Sequence, residues 1–160
     1  MTTIEYRKLL SGDKPMKSLL KGKKDNAGRG NNGRISVRHQ GGGHKRRYRD
    51  VDFKYDKKDI PARIETLEYD PYRTGFVSRV VYADGERRYV LAPKDLKVGD
   101  TFIVGEKAPI KVGSRMPLGK IPSGTFVYNI ELKLGAGARL VRSAGNYAEV
   151  VAHDAGYAQI

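Results

Sequence analysis

Residues 62–91, ARIETLEYDPYRTGFVSRVVYADGERRYVL, alternate short β-type runs with turn residues, and this pattern decides the fold. The runs are rich in β-branched and aromatic residues, which favour strands over helices. Asp84-Gly85 is a tight hairpin signal, because both residue types tolerate positive φ. Asp70-Pro71 begins a second turn, with proline fixing φ at its second position. The segment therefore predicts three consecutive strands, at 62–69, 76–82 and 87–91.

The rest of the chain continues the pattern of short strands and turns. Between residues 64 and 69 the alternation slips phase near Thr66 and Leu67, which predicts a β-bulge. The segment 126–134 alternates cleanly, with every second residue apolar from Phe126 onward. No stretch combines a helical period with caps over three turns. Further strands are predicted at 35–38, 48–53, 101–104, 139–142, 149–152 and 157–160.

Short strands at regular spacing, separated by glycine and proline turns, are typical of small β-barrels. We therefore predict an all-β protein with a five-stranded barrel over about residues 34–120, preceded by an extended basic arm over 1–33. A second sheet, over 121–160, is too short to close and ends within an apolar strand pattern. Either it borrows strands from the first barrel or the chain is a truncated piece of a longer protein, and truncation is the favoured expectation.

Positive charge is concentrated at the amino-terminal end. The chain has 31 Lys and Arg against 18 Asp and Glu, a net charge of +13. Residues 1–58 hold 17 of the basic and 6 of the acidic residues, a net of +11, and residues 59–160 are nearly balanced. Such a field attracts polyanions, nucleic acid first and anionic membrane surfaces or heparin second.

The most concentrated basic segment is 38–54, RHQGGGHKRRYRDVDFK. Three glycines allow the backbone to turn and to approach another surface closely. From His44 to Arg49 there is no acidic residue, whereas solvated charge runs usually mix signs. Guanidinium groups bind phosphate oxygens, so the segment predicts RNA binding over a merely solvated loop. Tyr48 either stacks on a base or packs inward.

Three segments resemble motifs of other functions but lack the flanking structure or the spacing that those functions need. The G-x-G-x-x-G match at 28–33 does not follow a buried strand or open a helix, so it is not a dinucleotide fingerprint. Its GxxG half lacks the flanking helices of a KH module. The segment 113–121 resembles a Walker A loop but has one residue too many between its glycines, and Ile121 stands where Ser or Thr must hold magnesium.

The residues needed for catalysis, metal binding or membrane insertion are also missing from the sequence. There is no cysteine, which removes disulfides and thiolate sites. His39 and His44 are better explained as loop contacts to RNA or water than as metal ligands. The paired acids Glu65/Glu68 and Asp50/Asp52 lie among cations, which favours ion pairs over acid–base work. We predict no enzyme, cofactor, metal or small-molecule substrate. No apolar run approaches the ~18 residues of a membrane helix, and no signal-peptide core is present, so we predict a soluble intracellular protein.

Several motifs together resemble the universal large-subunit ribosomal protein L2 family of bacterial type. The resemblance runs from about Lys17 to Ile160 and lies in the segments 28–35, GRGNNGRI; 38–49, RHQGGGHKRRYR; 51–54, VDFK; 68–73, EYDPYR; 84–94, DGERRYVLAPK; and 140–145, LVRSAG. It implies an OB-like barrel followed by an SH3-like barrel, partial here, both binding large-subunit rRNA, in contact with other ribosomal proteins. It also implies that Arg73 and Arg142 are key RNA contacts. Gly30 and Tyr72 depart from the family, which usually has asparagine at both positions.

The resemblance and the charge pattern give one expected function, a structural, rRNA-binding constituent of the large ribosomal subunit in the cytoplasm or an organelle. The family continues for roughly a hundred residues more, a scale typical of one domain, so no role of its tail is expected of this chain. Of the paired hairpin arginines Arg87 and Arg88, at most one is expected to reach RNA. The expected RNA-binding residues are Arg29, Arg34, Arg38, His44, Lys45, Arg46, Arg47, Tyr48, Arg49, Lys54, Arg73, Arg88 and Arg142.

Two other functions are compatible with the composition. A sequence-indifferent single-strand binder would need aromatic side chains exposed on the barrel face, for which Phe76, Tyr82 and Tyr89 are the candidates. A polyanion-binding protein of a membrane surface would need an amphipathic apolar segment, which the sequence does not offer. We predict no membrane partner.

Overall fold

The computed structural model of the chain describes residues 5–22, 25–154 and 156–160. Within these ranges there are short β-strands and three 3₁₀ turns (Tyr6–Lys8, Lys17–Leu19 and Leu118–Lys120) but no α-helix, so the all-β prediction is confirmed. Parts of the expected arm, residues 1–4 and 23–24, lie outside the described residues. The strands are β1 (Leu20–Lys21), β2 (Tyr48–Arg49), β3 (Ala62–Glu68), β4 (Val77–Tyr82), β5 (Arg87–Leu91), β6 (Thr101–Phe102), β7 (Phe126–Val127), β8 (Ala148–Glu149), β9 (Ala152–Asp154) and β10 (Tyr157–Gln159).

The central sheet is antiparallel, with strand order β5-β4-β3-β6. Both predicted turns connect its strands. Gly85, at φ +85°, donates its N–H to the carbonyl of Tyr82 at 2.9 Å and closes the β4–β5 hairpin. The predicted bulge is confirmed between Ile64 and Thr66, where the pairing to β4 shifts register and leaves Glu65 as the extra residue.

Both faces of the β4–β5 hairpin are buried. Successive side chains of a strand point to opposite faces, and Tyr89, Val90 and Leu91 are all below 5% exposed. Val90 packs in a first core that also contains Ile64, Tyr82 and Phe102 from the central sheet. Tyr89 and Leu91 pack on the other face, in a second core with members Val51 and Val77 and with Leu19, Phe53 and Tyr128 against it. Segments distant in sequence therefore meet on this second face.

The amino-terminal segment docks on the central sheet near residue 20. β1 pairs antiparallel with β2, and the Asp50 N–H donates to the carbonyl of Leu19 at 3.0 Å. The backbone N–H of Met16 donates to the Tyr89 hydroxyl at 3.1 Å. A parallel bridge between Val51 and Tyr89 extends the sheet beyond β5. This docking places the carboxyl-terminal part of the basic segment at the edge of the second core.

The predicted strand at 35–38 is wrong. Among these residues only Ile35 forms a bridge, to Arg29, and the segment otherwise bends. Ile35 and Val37 are 63% and 56% exposed, so their alternation has no core to face. Nearby turns hold the segment instead, with the Ser36 and Val37 N–H groups both donating to the carbonyl of Gly28.

The predicted continuous strand at 126–134 is also wrong, because regular structure is confined to β7, which pairs with β8. Asn129 has φ +56°, and its polar side chain is buried at 3% exposed, although the alternation predicted that it would face solvent. Leu132 and Leu134 are 67% and 95% exposed, although the alternation predicted that they would share a face with buried Ile130. A bridge between Ile130 and Leu140 and the β9–β10 hairpin supply the remaining pairing described in this part.

Candidate RNA-binding surface

The turn after β3 fixes the position of Arg73. Asp70 is fully buried, and its Oδ1 accepts the N–H of Tyr72 at 2.9 Å. Its Oδ2 forms an ion pair with Nη1 of Arg73, while Nη2 of Arg73 donates to the Tyr48 hydroxyl at 3.3 Å. The guanidinium is therefore held in one orientation from two sides before any ligand is bound.

Arg73 and Arg142 lie over the same aromatic ring, that of Phe53. The Cζ of Arg142 is 3.5 Å from the ring centroid and the Cζ of Arg73 is 5.8 Å from it. Partial burial lowers the pKa of Arg142, and the nearby charge of Arg73 lowers it further. Among the described residues, no carboxylate lies within 4.0 Å of the Arg142 guanidinium. An unneutralised positive charge thus faces outward beside a fixed one, as binding a phosphate requires.

Backbone contacts bring Arg142 to this position. The N–H of Ala144 donates to the Thr74 hydroxyl at 3.1 Å, so the loop that contains Arg142 is tied to the turn that contains Arg73. The N–H of Ala138 donates to the carbonyl of Phe53 at 2.8 Å. The two arginines, far apart in sequence, are in this way parts of one surface.

Aromatic rings extend the surface toward the basic loop. Tyr48 and Tyr72 meet edge to face, with ring centroids 5.5 Å apart. The Cζ of Arg46 lies 4.6 Å from the Tyr72 centroid, and its Nη1 donates to the carbonyl of Pro71 at 3.4 Å. Tyr48 is half-buried against these neighbours. Cation–aromatic contact of this kind holds an arginine in place while leaving its outer edge free for a ligand.

A compact loop, residues 26–41, presents Arg29, Arg34 and Arg38 to solvent. Gly28, at φ +70°, lies so close to the returning chain that a Cβ there would sit 2.2 Å from the carbonyl oxygen of Val37. Only glycine fits this approach. Nη1 of Arg29 donates to the carbonyl of Ala27 at 2.6 Å. The expected extended arm is therefore folded back on itself in this part.

The surface has little negative charge to neutralise it. Between Asp25 and Asp50 the chain contains no acidic residue. Six arginines and lysines of this stretch are exposed and have no ion pair to any described residue. They are Arg29, Arg34, Arg38, Lys45, Arg46 and Arg47. Lys54 is likewise exposed, and the Nδ1 of His44 lies 2.9 Å from the carbonyl oxygen of Lys45.

Two of the expected contact residues are paired with carboxylates of the protein, Arg49 in the interior and Arg88 nearer the surface. Arg49 is 7% exposed, and its Nε lies 3.3 Å from Oε2 of buried Glu68. Arg88 is surrounded by Asp52, Asp56 and Glu86. Burial lowers the pKa of Arg88, but hydrogen bonds to these carboxylates outweigh it and raise the pKa above its ordinary value. Both arginines are therefore committed to ion pairs within the fold.

Phe53 and Tyr72, whose rings contact the guanidinium groups of the surface, were not among the expected site residues. Each is an aromatic residue beside cations in the quoted motifs, and this adjacency is the only sequence signal for them. Of the three candidates for a single-strand platform, Tyr82 and Tyr89 are 2% and 0% exposed and cannot stack on a base, and Phe76 is half-buried. Within the described part of the chain, no three His, Cys, Asp or Glu residues are grouped to hold a metal ion. No helix in the same residues has the length and hydropathy to cross a bilayer.

Comparison with known proteins assigns both parts of the chain. Residues 16–104 match the family model of the ribosomal proteins L2 RNA-binding N-terminal domain, which covers more than half of the chain. The fold and the surface thus define an all-β protein with a domain of an RNA-binding family. Residues 111–160 match the C-terminal domain of ribosomal proteins L2. The chain belongs to the ribosomal protein L2 family, as the sequence motifs indicated.

Relatives over nearly the whole chain have the same family name. The large ribosomal subunit protein uL2 of Granulibacter bethesdensis is 54% identical over 159 residues, which is 99% of this chain and 58% of the relative. The protein of that name from Afipia carboxidovorans is 52% identical over 151 residues, 94% of this chain and 54% of the relative. The chain spans somewhat more than half the length of these relatives.

Proposed function

We propose that this chain is a structural component of the large ribosomal subunit that binds and stabilises large-subunit rRNA. The observation that carries the proposal is the convergence of Arg73 and Arg142 on Phe53. One arginine comes from each matched domain, and both were expected RNA contacts. Family membership and the names of the relatives support the ribosomal assignment.

In the proposed mode of binding, the fixed surface orients the RNA and the loop neutralises it. Arg142 and Arg73 bind phosphate oxygens, because their planar guanidinium groups are pre-oriented and only Arg73 has a carboxylate partner. The exposed cations of residues 26–47, with Lys54, contact further phosphates between RNA helices. Phosphate contacts set position and orientation and do not read base sequence. The role is therefore non-catalytic.

The proposal includes the division of the chain and its surroundings. We assign residues 1–33 to a basic arm, 34–120 to the OB-like RNA-binding barrel and 121–160 to the SH3-like part. The partners are large-subunit rRNA and other ribosomal proteins, and the place of action is the ribosome. We leave Arg49 and Arg88 out of the direct contacts, since both are surrounded by carboxylates of the fold.

Filter binding to a transcript of bacterial large-subunit rRNA, over a range of salt concentrations, tests the function. If about eight phosphates are contacted, log affinity falls with log salt at a slope of roughly −6 to −7. A slope near −1 would contradict the proposal. Poly(U) is the matched competitor: weak competition supports recognition of folded rRNA, and competition equal to that of the transcript favours a sequence-indifferent single-strand binder.

A further inference from the structure

Arg115 belongs to the second matched region, and its guanidinium contacts residues of both matched regions. Its Nη1 donates to the carbonyl of Asn129 at 2.9 Å, and its Nη2 lies 3.0 Å from Oε2 of Glu131. Its Cζ is 4.8 Å from the ring centroid of Tyr55, a member of the first core. The Arg115 backbone is itself fixed, since its N–H donates to the carbonyl of Ile103 at 3.1 Å. Arg115 therefore joins the core of the first domain to residues of the second.

Two hydrogen-bonded routes lead from Arg115 to the RNA-binding surface. On the first, the N–H of Asn129 donates to the carbonyl of Val141 at 2.9 Å, and Val141 is the residue before Arg142. The Nδ2 of Asn129 also donates to the Tyr55 hydroxyl at 3.2 Å, which fixes this segment on the first core. A displacement of Asn129 would therefore be passed directly to Arg142.

The second route ends at the aromatic ring beneath the two arginines. Oε1 of Glu131 accepts the N–H of Gly137 at 2.8 Å. The next residue, Ala138, donates its N–H to the carbonyl of Phe53 at 2.8 Å. The carboxylate of Glu131 thus holds Arg115 with one oxygen and the loop against Phe53 with the other.

We propose that Arg115 is a positioning residue that fixes the separation of Arg73 and Arg142, so that the two arginines bind RNA as one preformed site. This inference rests on the proposed rRNA-binding function. Arg115 itself contacts the protein through its guanidinium and is only 21% exposed. A preformed pair of cations loses less conformational entropy on binding than two independently moving domains would. Loss of Arg115 therefore weakens binding without removing a phosphate contact.

A double-mutant cycle on the full chain tests the inference, with Arg115→Ala, Arg142→Ala and their combination measured against the rRNA transcript. We expect Arg115→Ala to weaken binding about tenfold with an unchanged salt slope, and Arg142→Ala to reduce the slope by about one. In the Arg142→Ala background, Arg115→Ala should have little further effect. A tenfold loss in both backgrounds, or no loss in either, would overturn the inference while leaving the proposed function intact.

A second variant decides the matter even if Arg115→Ala does not fold. Glu131→Gln removes the charge that pairs with Arg115 and raises the net positive charge by one. Glu149→Gln, at an exposed residue of β8, makes the same change in charge elsewhere. Positioning predicts weaker RNA binding for Glu131→Gln and equal or tighter binding for Glu149→Gln. Tighter binding by both variants overturns the inference, and an unmutated chain that does not bind the transcript refutes the proposed function itself.

Discussion

Arg49 and Glu68 form an ion pair inside the fold, with 3.3 Å between Nε and Oε2 and both side chains less than a tenth exposed. Arg49 ends β2 and Glu68 ends β3, so the pair ties the last residue of the basic stretch to the central sheet. Glu68 also accepts hydrogen bonds from the hydroxyls of Tyr89, at 3.0 Å, and Thr66, at 3.1 Å. Removing one of these partners would leave a buried carboxylate with an unfilled hydrogen-bonding position.

Replacing Arg49 should therefore destabilise the protein strongly. We expect Arg49→Met to lower the free energy of unfolding by about 3 kcal/mol, because it leaves the Glu68 charge buried without its Arg49 partner. Arg47→Met, at an exposed position two residues earlier, is the matched control and should change it by less than about 0.5 kcal/mol. Urea unfolding of both variants measures the difference. Equal effects would contradict a structural role for Arg49.

The two arginines over Phe53 should respond differently to truncation. Arg73→Ala removes a proposed RNA contact and also leaves the fully buried carboxylate of Asp70 without its ion pair. Arg142→Ala removes a cation that has no carboxylate partner among the described residues. We expect each change to reduce RNA affinity by about 1.5–3 kcal/mol, the range for hydrogen bonds to a charged group, but only Arg73→Ala to lower the unfolding free energy substantially.

Filter binding and urea unfolding, applied to the same two preparations, separate these effects. RNA affinity unchanged by Arg142→Ala would remove that residue from the site. A loss of stability in Arg142→Ala as large as in Arg73→Ala would instead show that the Phe53 contact is mainly structural.

The compact loop should depend on Gly28 and not on its neighbour Gly33. Both have positive φ, but only at Gly28 would a Cβ strike the backbone, 2.2 Å from the carbonyl oxygen of Val37. Gly28→Ala should therefore open the loop and weaken rRNA binding several-fold, while the central sheet keeps its stability. At Gly33 an added Cβ would meet no atom within 4 Å. Gly33→Ala should therefore lower the unfolding free energy only by the cost of placing alanine at positive φ, about 1 kcal/mol.

Amide hydrogen exchange measures the loop directly. The N–H groups of Ser36 and Val37, which donate to the Gly28 carbonyl, should lose protection in Gly28→Ala and retain most of it in Gly33→Ala. Equal protection in the two variants would show that the close approach at Gly28 is not what holds the loop.

The ion pair of Glu131 makes part of the stability depend on pH. Burial raises the pKa of Glu131, but hydrogen bonds from the Gly137 N–H and from Arg115 outweigh it, so the pKa lies below its ordinary value. A carboxylate with a lowered folded-state pKa adds stability above its unfolded pKa, about 4.3, and loses it as the pH falls through the folded value.

The stability difference between the unmutated chain and Glu131→Gln should therefore be largest near neutral pH and shrink as the pH falls below about 4. Urea unfolding at about pH 7 and about pH 3 tests this. Glu149→Gln serves as the control, because its carboxylate is exposed. If the difference in unfolding free energy between the unmutated chain and Glu131→Gln stays constant over this range, the Glu131 charge does not stabilise the folded state.

The sequence predicted the central sheet well because its signals are local. Turn residues such as Gly85 act over four positions, and the slip near Thr66 marks a bulge without knowledge of the partner strand. The segment 126–134 failed for the opposite reason. Its alternation was real, but the buried amide of Asn129 takes positive φ to reach Tyr55, which is distant in sequence. Such a long-range contact overrides periodicity.

The candidate site was predictable in its charges and not in its arrangement. Motif resemblance singled out Arg73 and Arg142, and composition indicated the basic loop. Neither could distinguish an exposed cation such as Arg47 from Arg49, which pairs with Glu68 inside the fold. That difference depends on which carboxylates the folded chain brings near. The aromatic ring common to two arginines is likewise a product of tertiary structure alone.

The ring of Phe53 lies beneath two guanidinium groups, so a mutation at this codon acts on both at once. Substitution of one arginine leaves the other in contact with the Phe53 ring, whereas substitution of Phe53 removes the contact that both arginines share. Evolutionary drift should accordingly be slower at residue 53 than at ordinary half-buried aromatic positions of the same chain. A substitution that became fixed there would be expected alongside compensating changes in both halves of the protein.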